Sequence, residues 1–146
     1  MTLPGRDWLI AAAALDGIAA LLHLGCIVGG PQWYRFFGAG EAIVRLAEYG
    51  SWRPTIFALL IAGILSVWGL FALSGAGLIG RLPLLRTALA AITLVYLARA
   101  AALPVMLATM HDRSSTFLWW SSLIVLGYGV VHGIGLFRAW PSLSAR

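Results

Sequence analysis

Four stretches of this sequence run almost without charge over the about 20 residues a helix needs to cross a bilayer core. They cover about Trp8–Gly29, Pro54–Gly77, Leu84–Thr109 and Thr116–Phe137. That pattern restricts the chain to an all-α transmembrane architecture, since lipid offers the backbone no hydrogen-bond partners. The rest of the composition agrees. Hydrophobic residues make up 61% of the 146 and charged residues 10%, against about 25% charged in a soluble domain. Asp16 interrupts the first stretch and no small-x-small cleavage site follows. The stretch therefore reads as a retained span and not as a secretion signal.

The connections after the second and third spans are short, which favours antiparallel neighbours and an up-down four-helix bundle forming one integral membrane domain over 1–146. The first connection, 31–53, is longer. Within it Ala42, Ile43, Leu46, Ala47 and Tyr49 alternate at helical spacing with Glu41, Arg45 and Glu48. This predicts a short amphipathic helix over about 40–49, lying at the membrane interface. Trp33, Tyr34, Phe36, Phe37 and Trp52 suit an aromatic belt at that level. Pro54 sits in a first turn, where proline is tolerated. Pro104 falls inside the third span and is expected to kink it or end it early.

All ten basic residues are arginine, consistent with GC-rich coding. They are scattered and form no run, so a nucleic-acid surface is excluded. Arg6, Arg81, Arg86, Arg138 and Arg146 fall on one side of the predicted topology; Arg35, Arg45, Arg53 and Arg113 fall on the other. Five against four places both termini in the cytoplasm of a bacterial inner membrane. Gly25 and Gly29, Ala58, Ala62 and Ser66, Ala98 and Ala102, and Gly129 and Gly133 are small residues at helix-contact spacing. They suit packing within the bundle or between copies of the chain.

Ionisable residues inside a span cost about 2.5–3.5 kcal/mol each, and so face the interior or a cavity. Asp16, His23, Arg99 and His132 are such residues. At 1.5 Å per residue, Asp16 and His132 lie at one level, about 10 Å from the cytoplasmic end, and His23 and Arg99 at another, about 20–23 Å in. Equal depth predicts an Asp16–His132 contact, serving as a proton relay or a structural pair. The outer level lacks a carboxylate, which Glu41 of the long loop is placed to supply. The alternative is that Glu41 pairs with Arg35 or Arg45.

The functional expectation is a pocket near the outer leaflet for a small amphipathic ligand, lipid- or quinone-like. Arg99, Tyr34 and Tyr96 would bind it, and His23 with Glu41 would carry any acid–base catalysis. The rival readings are a proton-coupled transporter or channel, and a structural subunit of a membrane complex. No cofactor or metal is expected. His23 and His132 differ by about 13 Å in depth, too much for bis-histidine haem. Met106, Met110 and His111 suit copper by ligand softness, but methionines one turn apart on an apolar helix are packing residues. The lone Cys26 excludes an intramolecular disulfide. No hydrolase, phosphate-binding or dinucleotide motif is present.

Overall fold

A computed structural model describes residues 4–111 and 113–144. The described residues form six helices and no strands: α1 (Arg6–Phe36), α2 (Glu41–Glu48), α3 (Arg53–Gly75), α4 (Leu85–Ala101), α5 (Leu103–Thr109) and α6 (Ser115–Ser144). α1, α3 and α6 are long and apolar enough to cross a membrane, and α4 with α5 makes a fourth candidate span bent by 48°. α1 packs on α3 and α6, α4 packs on α6, and α3 touches α4. Leu59, Leu60, Ile64 and Val67 on the outside of α3 are exposed, an arrangement suited to lipid.

Two of the breaks follow from proline. Pro104 has no N–H to offer the Ala100 carbonyl, and its ring crowds the preceding turn. The helix ends at Ala101 and restarts as α5, with Pro104 in its first turn. Pro31 acts in the same way on Gly30, since the residue before a proline is driven out of the α region. Gly30 takes φ 65°, ψ −152°, which glycine alone adopts readily. The chain kinks there and then resumes as helix to Phe36, so part of the expected loop is helical.

That kink corrects one expectation. Gly25 and Gly29 do not seat a neighbouring helix. The Trp33 ring folds back onto them: a Cβ at Gly25 would lie 2.8 Å from it, and one at Gly29 would overlap it. Ser66 and Ala98, expected in packing ridges, are exposed. Gly129 and Gly133 do form a helix seam, facing Leu97 and Thr93 of α4.

α6 runs seven residues beyond the expected Phe137. The extension buries Ala139 and Leu143 in a cluster with Leu9, Ala72, Leu85 and Leu89, and Arg81 donates to the Leu143 carbonyl. At its other end α6 is capped by Ser114, whose Oγ accepts from the Phe117 N–H at 3.1 Å. α2 spans nearly the predicted residues. Its apolar face inserts Val44 into a cluster with Cys26, Tyr34 and Ala58, so α2 rests on α1 and α3.

Candidate functional site

Asp16 and His132 are both fully buried and meet in the interior. His132 Nε2 lies 3.1 Å from Asp16 Oδ2, the contact that equal depth predicts. The other ring nitrogen, Nδ1, lies 3.0 Å from the Tyr128 carbonyl oxygen. A carbonyl only accepts, so Nδ1 carries a proton. One further proton is then shared between Nε2 and Oδ2. The pair is either carboxylate with imidazolium or carboxylic acid with neutral imidazole, and is net neutral in both forms. Without that proton two acceptors would face each other with a buried charge, an arrangement a low-dielectric interior penalises heavily.

Asp16 Oδ1 accepts a 2.6 Å hydrogen bond from the Tyr96 hydroxyl. The Tyr96 ring packs edge-on to Trp68 at 5.0 Å, and tilted against Tyr128 at 5.5 Å and His132 at 5.1 Å. Tyr128 donates to the Leu15 carbonyl at 2.9 Å. Four helices thus contribute to one satisfied network: α1 supplies Asp16, α3 Trp68, α4 Tyr96, and α6 Tyr128 and His132. Tyr96, expected to bind ligand, has its hydroxyl committed to Asp16.

Beside this network lies a cavity of about 860 Å³ between α1, α3, α4 and α6. Leu22, Ile61, Leu65, Ile124 and Val125 give it apolar walls, together with Phe36, Phe37, Phe117 and Trp120. His23, Arg99, Ser121, Tyr96 and Tyr128, with Ser114 and Thr116, are the polar residues on its wall. Tyr96 and Tyr128 therefore border both the cavity and the buried network. His23 Nδ1 lies 2.7 Å from the Ala19 carbonyl and so donates to it. Nε2 is left as the ring's other polar atom.

Two expected site residues lie elsewhere. Glu41 does not reach His23 or Arg99. It lies 3.5 Å from Arg35, whose guanidinium also donates to Glu48 at 2.9 Å. The reason is the face of α2: its apolar side is spent on Val44, which turns Glu41 and Glu48 outward towards Arg35. Tyr34 is buried in the Cys26–Val44–Ala58 cluster and is absent from the cavity wall. Arg99 instead donates to Ser122 Oγ at 3.2 Å.

Sequence reasoning missed Ser114, Phe117, Trp120 and Ser122. Phe117 and Trp120 share the α6 face that also carries Ser121, Val125 and Tyr128, and Ser114 caps that helix. The i, i+3, i+4, i+7 spacing of 117, 120, 121 and 124 was a usable signal. Comparison with known protein families, curated proteins and solved structures finds no match.

Proposed function

We propose that the protein is a four-helix transmembrane bundle that binds a small amphipathic ligand, lipid- or quinone-like, in the cavity between its helices. α2 lies along the membrane interface in this reading. The cavity opens near the outer leaflet of a bacterial inner membrane, and both termini are cytoplasmic. The observation that carries it is the cavity itself. Its about 860 Å³ falls in the range of small-molecule sites, about 300–1,000 Å³, and it has their composition of apolar walls with a few polar groups.

Chemistry at the site is limited to what the wall residues offer. His23 presents a ring nitrogen, Ser121 a hydroxyl and Arg99 a charge. The Asp16–His132 pair sits behind the rings of Tyr96 and Tyr128 and holds them in place. Glu41 has no part in the site.

Three tritiated probes test the reading in nanodiscs of neutral lipid: laurate, dodecanol and a decyl benzoquinone. At least one is expected to bind saturably with one site per chain. Ser121→Trp fills the cavity from its wall, and the bound probe should fall more than about tenfold, a loss of about 1.4 kcal/mol or more. Non-saturable uptake of all three, identical in the filled variant, would reduce the cavity to a packing defect.

A further inference from the structure

The arginines at the α2 end of the molecule are provided for unequally. Arg35 is matched by two carboxylates, Glu41 and Glu48. Arg99, half-buried in the cavity wall, has only the neutral hydroxyl of Ser122. Among the described residues Arg113 has only the Ala39 carbonyl, at 3.0 Å. Among the described residues no carboxylate lies within ion-pair distance of either.

A guanidinium carries five N–H donors and cannot shed its proton in a protein. Ser122 accepts one from Arg99, and the rest have no protein acceptor among the described residues. Leaving a charge so poorly matched within a span is costly.

The geometry continues the argument. Arg113 lines a second, smaller cleft of about 260 Å³. That cleft and the main cavity share Phe36, Ser114 and Phe117 as walls. An apolar chamber thus adjoins a charged one, with Arg99 on the first and Arg113 on the second, where Arg35 and Glu41 also line the wall but pair with each other. We infer that the ligand is a single-chain anionic amphiphile whose oxyanion headgroup, carboxylate or phosphate, lies between Arg99 and Arg113 while its alkyl chain fills the cavity. This rests on the cavity being a ligand site, and adds the charge and placement of the ligand. A carboxylate or a phosphate presents paired oxygens that match the guanidinium fork.

The test measures laurate, dodecyl phosphate and dodecanol on the full chain in neutral-lipid nanodiscs. Measurement at about pH 9, far above the carboxylate range, keeps laurate ionised. Affinities are expressed per concentration in the lipid phase, so that partitioning cancels. The two anions should bind at least about tenfold more tightly than dodecanol, and the tighter of the two identifies the headgroup. Arg99→Gln should weaken the anions by about 10- to 100-fold, the range of a charged hydrogen bond, and leave dodecanol unchanged. Arg99→Lys should retain part of the preference, Arg113→Gln should lose part of it, and Arg138→Gln, at the other end of the molecule, should lose none.

Equal binding of anions and dodecanol to the wild type overturns the inference, as does equal weakening of all three probes in Arg99→Gln. If Arg99→Gln does not fold, the wild-type ratio decides alone. Saturable binding of dodecanol without the anions would leave the ligand site standing and remove the anion. Binding of none of the three overturns the inference, and the decyl benzoquinone then decides whether the cavity is a ligand site at all.

Discussion

Asp16→Leu is expected to lower the stability of the protein by about 2–4 kcal/mol, while Asp16→Asn costs less than about 1 kcal/mol. The two differ in what they leave behind. Leucine strands the Tyr96 hydroxyl and His132 Nε2, both deep inside, at about 1–3 kcal/mol for each unpaired group. A carboxamide satisfies both: its oxygen accepts from Tyr96, and its NH2 donates to Nε2 of a neutral His132 ring still holding the Tyr128 carbonyl. The single shared proton makes this possible, because the pair is net neutral and so is the amide–imidazole replacement. The double variant Asp16→Leu with His132→Leu should cost clearly less than the sum of the two single changes, since the partners are removed together. Reversible unfolding in mixed micelles measures all four variants. Equal loss in Asp16→Asn and Asp16→Leu would mean that the buried site requires the negative charge.

Gly135→Leu is the second large effect, at about 3 kcal/mol. Gly135 is where α6 crosses α1. A Cβ there would lie 2.9 Å from Leu9 Cδ2 and 3.3 Å from the Leu9 backbone nitrogen. Leu9 is itself 1% exposed and has nowhere to go. Gly5 approaches the same stretch of α6 with φ 78°, and a Cβ on it would sit 2.7 Å from the Gly135 carbonyl oxygen. The helices must separate to admit a side chain, and the cluster around Leu9, Ala139 and Leu143 loosens with them. Gly127 is the internal control. A Cβ at that position meets nothing within 4 Å, so Gly127→Ala should be neutral or gain a few tenths of a kcal/mol from helix propensity. Thermal unfolding of the three proteins in one detergent separates these outcomes.

Particular residues show how far the sequence carried. Depth counting at 1.5 Å per residue placed Asp16 opposite His132, because both sit in unbroken helix and the error does not accumulate. Helix-face spacing put Tyr96 beside Arg99, and both line the cavity. It could not show that the Tyr96 hydroxyl, which stands far from its own Cα, spans the gap to Asp16 on α1. Glu41 was assigned on the strength of a missing carboxylate, a need with no geometry attached. The face of α2 that holds Val44 decides where Glu41 points, and it points to Arg35. The back-folding of Trp33 onto Gly25 and Gly29 depends on one backbone angle at Gly30. A Gly–Pro pair signals such a break without stating its direction. The cavity was the least legible feature, since empty space arises from the mutual placement of four helices and from no local pattern.

The account stands on that cavity holding a ligand. Photocrosslinking with a dodecyl amphiphile carrying a mid-chain diazirine, mapped by peptide mass spectrometry, tests it most directly. Labelling is expected to concentrate on the less exposed cavity residues Ala19, Leu65, Ser121, Val125 and Tyr128, and to fall when unlabelled amphiphile is added in excess. The outward face of α3, with Leu59, Leu60, Ile64 and Val67, reports contact with bulk lipid and should show only the uncompeted background. Labelling spread evenly over both sets, and unmoved by competitor, would contradict a ligand site between the helices.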